Sequence, residues 1–132
     1  MDKNFKKHTF EAGDCIIREG DQSHFAYLIV NGEVEIRHDM LGDNPHTIAH
    51  LSKGDVFGEI SLFDGLPNMA SAVAIRDTTV NILSENEFHR RVAAMDPLMR
   101  GILKTQIKRI RKLLEKITDE DDDLNWSDWK KK

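Results

Sequence analysis

The sequence has one cysteine, Cys15, and no long apolar run among its 132 residues. A lone cysteine excludes an internal disulfide and a cysteine-based zinc site. A membrane-spanning helix needs roughly 20 consecutive apolar residues, and no stretch approaches that length. The first ten residues, MDKNFKKHTF, also lack the apolar centre of a signal peptide. These absences predict a soluble, cytoplasmic protein.

An excess of one charge sign is missing as well. The formal net charge is −4, which indicates no general attraction to nucleic acid. Hydrophobic residues make up 39% of the chain and charged residues 32%, a composition typical of a folded domain. A chain of this length fits a single domain that buries a core of its own.

Patterns of catalytic or metal-binding residues do not stand out either. Ser61 is not part of a Gly-x-Ser-x-Gly motif, and no acid–base pair has a useful spacing. His46 and His50 lie four residues apart without a third ligand, so we interpret them, like the isolated His38 and His89, as surface residues. The sequence therefore predicts neither an enzyme nor a metal site or cofactor.

Glycine punctuates the first two thirds of the chain. It is followed by Asp at four turns, namely Gly13-Asp14, Gly20-Asp21, Gly42-Asp43 and Gly54-Asp55. Between the turns lie short runs such as Val34 to Ile36, where apolar and charged residues alternate as in a half-buried strand. Asn31-Gly32 between two such runs predicts a β-hairpin. Many short strands with turns 8–12 residues apart predict a sandwich or barrel.

The last third of the chain has helical periodicity. Ser84-Glu85-Asn86-Glu87 is a capping box that predicts a helix to about Met95. Asp96 as the cap and Pro97 at the first position predict a second helix to Ile117. An apolar stripe follows this helix; its members are Leu103, Ile107, Ile110, Leu114 and Ile117. The stripe could form a homodimer seam with a second copy of the chain, which we favour, or lie on its own β-domain as a lid.

Charge is concentrated at this end of the chain. Six basic residues lie in the second part of the predicted helix, and they are Lys104, Lys108, Arg109, Arg111, Lys112 and Lys116. Five consecutive acids, Asp119 to Asp123, follow them and counter nucleic-acid binding, so we interpret the basic residues as a solvated face. Residues 1–117 are thus predicted to form the domain, and residues 118–132, with Trp126 and Trp129, an acidic disordered tail.

The segment from Phe57 to Ser71 contains the most informative pattern. A short helix over about Gly58–Asp64 would direct free backbone N–H groups outward, where an anion such as phosphate could bind. Glu59 could accept hydrogen bonds from sugar hydroxyls. A return strand from Ala70 would close the pocket.

These features together resemble the cyclic-nucleotide-binding domain family, over roughly Phe10 to Ile117. The matching motifs are Phe10-x-x-Gly13-Asp14-x-Ile16, Glu19-Gly20-Asp21, Tyr27-x-Ile29-x-x-Gly32-x-Val34, Leu51-x-x-Gly54-Asp55-x-Phe57-Gly58-Glu59-Ile60-Ser61-Leu62, and Asp64-Gly65-x-Pro67 followed by Ala70-Ser71-Ala72. The resemblance implies a mainly β fold, an eight-stranded antiparallel β-roll (jelly roll) with C-terminal helices. It also implies cyclic AMP or cyclic GMP as the ligand, held by the phosphate-binding cassette of residues 57–72.

The resemblance assigns expected roles to the cassette. Backbone amides near Gly58, Ile60, Ser61 and Met69 would face the cyclic phosphate. Glu59 would take the ribose 2′-hydroxyl. The remaining predicted ligand-site residues are Asn68, Ala70 and Ser71.

Asn68 departs from the family pattern, because the phosphate-binding arginine of the family follows the cassette proline at this position. Asparagine has no charge and no guanidinium fork. Removing one partner of a buried charge pair costs about 2–5 kcal/mol, so we expect weakened nucleotide binding. Arg37, Lys53 and Arg76 are candidate substitutes for the missing cation.

Two functions follow from this pattern. In the first, the domain is a stand-alone regulatory module that senses a cyclic nucleotide or similar anion and transmits through its C-terminal helix. In the second, it is a degenerate domain that binds no nucleotide and acts through protein–protein contact or dimerisation. A transcription factor is not expected, because the chain becomes acidic where a helix-turn-helix domain would follow.

Overall fold

The computed structural model describes residues 5–39 and 42–123, with side chains to residue 116. The elements in chain order are β1 (Lys6–Phe10), β2 (Cys15–Ile17), β3 (Phe25–Asn31), β4 (Val34–His38), β5 (His46–Leu51), β6 (Val56–Phe57), α1 (Glu59–Asp64), β7 (Ser71–Ala74), β8 (Thr78–Ser84), α2 (Glu85–Ala94) and α3 (Pro97–Asp123). The strands form two four-stranded antiparallel sheets, ordered β1-β8-β3-β6 and β2-β7-β4-β5. The predicted antiparallel β-roll is confirmed.

The predicted hairpin at Asn31-Gly32 is wrong. Strand β3 pairs with β6 and β8, whereas β4 pairs with β5 and β7, so the turn carries the chain from one sheet to the other. Gly32 has φ of 117°, and a Cβ atom there would lie 2.4 Å from Thr78 Oγ1. Only glycine fits at this crossing, because the turn passes directly over the start of β8.

The hydrophobic core lies between the two sheets. Its buried residues come from both, and they are Ile17, Tyr27, Ile29, Val34, Phe57, Ala72 and Val80. The rings of Tyr27 and Phe57 stack with their centroids 5.0 Å apart. This stack fixes the end of β6, and β6 leads directly into α1.

The two C-terminal helices begin where the sequence predicts. Ser84 Oγ accepts a hydrogen bond from the Glu87 N–H at 3.3 Å, and Asp96 Oδ1 accepts from the Leu98 N–H at 3.0 Å. Each cap supplies an acceptor to a backbone N–H group that has no partner inside its helix.

Helix α3 ends later than predicted. It continues past Ile117 to Asp123, because no glycine or proline interrupts this stretch and helix propagation is easy once a helix exists. The tail prediction for residues 124–132, including Trp126 and Trp129, falls outside the described residues. Among the described residues, no helix is both long and apolar enough to cross a membrane.

Candidate ligand-binding site

A cavity of about 230 Å³ lies between the cassette, the β-roll and α3. The structure brings seven of the eight predicted site residues to its wall, and these are Gly58, Glu59, Ile60, Ser61, Asn68, Met69 and Ala70. The rest of the wall on the side of the roll is apolar and consists of Ile17, Ile36, Leu51, Val56, Phe57 and Ala72. An apolar wall with a few convergent polar groups is the usual form of a small-molecule site.

Ser71 is the predicted site residue that does not line the cavity. Its buried side chain lies on β7, and Ser71 Oγ accepts a hydrogen bond from the Glu19 N–H at 3.0 Å. This hydrogen bond joins the cassette strand to the connection after β2. The position of Ser71 near a ligand stays a prediction.

Gly58 makes the turn into the cassette helix possible. It has φ of 86°, and a Cβ atom there would lie 3.0 Å from both Ile17 Cδ1 and the Phe25 carbonyl oxygen. Helix α1 runs from Glu59 to Asp64 and ends at Gly65, as the sequence predicts. Any larger residue at position 58 would push this short helix away from the roll.

Glu59 is a half-buried carboxylate in the cavity wall. Burial raises the pKa of its carboxyl group above the usual 4.5, and a backbone hydrogen bond at Glu59 offsets this only in part. No cation in the described part of the chain forms a salt bridge with it. A desolvated carboxylate in a cavity is typical of a functional site.

Asn68 is buried and serves the scaffold. Asn68 Nδ2 donates to the Arg18 carbonyl oxygen at 3.0 Å. Its backbone N–H donates to the Asp21 carbonyl oxygen at 3.0 Å, and its own carbonyl oxygen accepts from the Gly20 N–H at 2.8 Å. The residue therefore ties the cassette to the β2–β3 connection, and it brings no charge to the cavity.

The three cations suggested as substitutes lie elsewhere. Arg37 pairs with Glu35 at 2.7 Å, and Arg76 lies 3.5 Å from Glu33 with 65% of its side chain exposed. Lys53 is exposed, and none of the three lines the cavity.

Arg111 is the cation that lines the cavity, and sequence reasoning missed it. Its side chain is 7% exposed, which contradicts its assignment to a solvated basic face. Nε donates to Asp64 Oδ2 and Nη2 to Asp64 Oδ1, both at 2.8 Å, and Nη1 donates to the Pro67 carbonyl oxygen at 2.9 Å. The signal was in the spacing, because Arg111 lies four residues after Ile107 and three before Leu114, on the same helix face.

The apolar stripe of α3 is divided between two faces. Ile107 is 4% exposed, and Leu103 and Leu114 are half-buried, with Leu114 in the cavity wall. Ile110 is 41% exposed, and the Ile117 side chain falls outside the described residues. The four described side chains of the stripe therefore lie in different surroundings, and the homodimer seam through all five residues stays a prediction.

A second apolar face of α3 points away from the roll. Its exposed residues are Leu98, Met99, Ile102, Ile110 and Leu113, with Leu98 at 72% and Leu113 at 60%. At 3.6 residues per turn, these five positions lie on one side of the helix. The sequence pattern did not separate this face from the buried one.

Two histidines expected at the surface hold the cassette in place. His38 is buried, with Nδ1 3.2 Å from Glu19 Oε1 and 3.3 Å from the Met69 carbonyl oxygen. His89 Nε2 lies 2.8 Å from the Leu62 carbonyl oxygen and so links α2 to α1. The described residues contain no group of three or more side chains suited to a metal ion.

Residues 7–94 match the model of the cyclic nucleotide-binding domain family. The chain belongs to this family. The match takes in the whole cassette, and it ends before α3 begins at Pro97. In this cyclic-nucleotide-binding domain, the cavity wall therefore includes two residues from beyond the matched segment, Arg111 and Leu114.

Relatives of this domain are regulatory subunits and larger proteins. The cAMP-dependent protein kinase regulatory subunit of Colletotrichum orbiculare is 37% identical over 99 residues, which cover 75% of this chain and 25% of that protein. The cGMP-bound EAL enzyme Bd1971 superposes with a TM-score of 0.77 and 26% identity, over 87% of this chain and 31% of that one.

A third relative is the regulatory subunit of a cAMP-independent protein kinase A from Trypanosoma brucei. It superposes with a TM-score of 0.65 and 27% identity, over 77% of this chain and 36% of that one. The chain thus spans about a quarter to a third of the length of these relatives.

Proposed function

We propose that this domain is a cytoplasmic regulatory module that senses a cyclic nucleotide, cyclic AMP or cyclic GMP, in the cassette cavity and transmits through α3. The observation that carries the proposal is the composition of the cavity wall. Residues of the family cassette and two residues of α3 line the same cavity. A ligand in that cavity would contact α3 and bias its position.

The size of the cavity supports a coupling between ligand and helix. Small-molecule sites usually measure about 300–1,000 Å³, and this cavity measures about 230 Å³. A nucleotide would therefore need a larger space than α3 leaves in this conformation. We expect α3 to be the wall that yields. It contributes only Arg111 and Leu114, whereas the rest of the wall belongs to the cassette and to the strands of the roll.

The proposed contacts follow the family cassette. Glu59 would accept a hydrogen bond from the ribose 2′-hydroxyl, and amides near Gly58, Ile60, Ser61 and Met69 would face the phosphate. The Glu59 carboxylate supports the first contact, because it lies in the cavity wall and forms no salt bridge within the described part of the chain. We assign the domain no catalytic role.

The test is calorimetric titration with cyclic AMP, cyclic GMP and 2′-deoxy cyclic AMP. We expect wild type to bind 2′-deoxy cyclic AMP at least tenfold more weakly than cyclic AMP, because a buried acceptor loses its donor. Glu59→Gln should discriminate much less between the two. Equal affinity of wild type for both would contradict the assignment of Glu59, and no binding of either cyclic nucleotide would contradict the sensing function.

A second function, protein–protein contact without nucleotide, is favoured by two observations. Asn68 carries no charge and is bonded to Arg18, and one relative belongs to a cAMP-independent kinase. The exposed apolar face of α3 would then be the contact surface, with a second copy of the chain as its partner. The homodimer predicted from sequence would use this face, and Leu103, Ile107 and Leu114 would stay on the roll.

A further inference from the structure

We propose that Arg111 is the residue that pairs with the anionic group of the ligand in this domain. Arg111 supplies the positive charge that Asn68 lacks. The inference rests on the proposed function, since it names the residue through which a nucleotide phosphate would be held.

The guanidinium lies beside position 68. Arg111 Nη1 donates to the carbonyl oxygen of Pro67, the residue that precedes Asn68. Both Arg111 and Asn68 line the cavity. A cation on α3 thus reaches the neighbourhood in which the family cassette carries its arginine, although it comes from a different element.

The guanidinium has donors to spare. Arginine has five N–H groups, and three of them are used by Asp64 and Pro67. One N–H on each Nη atom has no partner among the described residues. With its side chain only 7% exposed, the charge is poorly solvated and interacts strongly with an anion.

Asp64 accepts hydrogen bonds from the two guanidinium nitrogens, Nε and Nη2, that a phosphate would use. The carboxylate accepts two parallel hydrogen bonds at 2.8 Å, from Nε and Nη2, and phosphate binds arginine in the same bidentate way. Asp64 is therefore the partner of Arg111 in this structure. The ligand phosphate replaces it, and α3 shifts as Arg111 changes partners.

The test compares two variants that break the same ion pair. We expect Arg111→Gln to bind cyclic AMP about ten- to a hundredfold more weakly than wild type, because a charged hydrogen-bond donor is lost. Asp64→Asn should bind cyclic AMP as tightly as wild type or more tightly, because the competing carboxylate is gone. Both should lose similar thermal stability, measured by circular dichroism.

Controls separate phosphate pairing from other effects. Arg109 is exposed on the same helix, so Arg109→Gln removes the same charge and should leave the affinity unchanged. Adenosine has no phosphate, so any affinity for it should be equal in wild type and Arg111→Gln.

Two outcomes would overturn the inference alone. If Arg111→Gln binds cyclic AMP as tightly as wild type or more tightly, the Arg111–Asp64 ion pair only holds α3 in place. If Asp64→Asn weakens cyclic AMP binding by the same factor as Arg111→Gln, the ion pair only maintains the structure of the site. If wild type binds neither cyclic AMP nor cyclic GMP, the proposed function fails, and the inference fails with it.

Discussion

We expect the ionised form of Glu59 to destabilise the folded domain. Because burial raises the pKa of this carboxyl above 4.5, the folded state takes up a proton more readily than the unfolded state, and stability falls as pH rises through the raised pKa. We therefore expect Glu59→Gln to melt at a higher temperature than wild type at pH 7. The difference should shrink towards zero below pH 4.5, in thermal scans at several pH values.

An exposed acid provides the matched control for Glu59. Glu11→Gln removes the same charge at an exposed position and should leave the melting temperature at pH 7 near that of wild type. A Glu59→Gln variant no more stable than wild type at pH 7 would show that the carboxylate is well solvated.

Asn68 combines a scaffold role with a missing charge, and substitution separates the two. Asn68→Arg should tighten cyclic AMP binding tenfold or more by adding a cation at the family position. It should also lower the free energy of unfolding by about 0.5–1.5 kcal/mol, because the partly buried hydrogen bond from Asn68 Nδ2 to the Arg18 carbonyl oxygen is lost. Calorimetric titration and urea unfolding measure the two effects.

Asn68→Ala is the control, since it loses the hydrogen bond without gaining charge. It should share the loss of stability and show no gain in affinity. An Asn68→Arg variant whose affinity does not exceed that of wild type would mean that position 68 does not face the phosphate.

At the scale of elements, α3 has two apolar faces with different expected roles. Ile107→Ala on the buried face should lower the free energy of unfolding by about 2–5 kcal/mol. Leu113→Ala on the exposed face should change it by no more than about 0.5 kcal/mol. If a second copy covers the exposed face, wild type should be a dimer in light scattering and Leu113→Glu a folded monomer.

Two results would contradict this division of α3. Equal destabilisation by the two alanine variants would show that the faces are wrongly assigned. A monomeric wild type would reject the dimer while leaving the buried face as the attachment of the helix to α1.

Local sequence signals predicted the elements better than their partners. The capping box at Ser84 and the cap at Asp96 depend on residues within one turn, and both form as expected. The turn at Asn31-Gly32 has the residues of a hairpin, but β3 takes β8 as its partner from far along the chain. Sheet membership depends on such distant pairings, which a turn motif does not encode.

At the scale of the whole molecule, the candidate site also combines local sequence signals with contacts between distant parts of the chain. The cassette could be predicted because seven of its site residues are consecutive or nearly so in the sequence and reach one cavity. Arg111 could not be predicted as a site residue, because its burial depends on how α3 packs against α1. This packing places Arg111 beside Asp64. A charged residue on an otherwise apolar helix face was the one available clue.

The origin of Arg111 in α3 also has an evolutionary consequence. The cassette lies inside the segment that defines the family, residues 7–94, whereas Arg111 lies outside it. Positive charge at the cavity can therefore be lost from one segment and recovered in the other while the β-roll keeps its sequence. Relatives that lack the cassette arginine should then be sorted by the residue that their C-terminal helix presents to the cavity, and an arginine there would mark a compensated site.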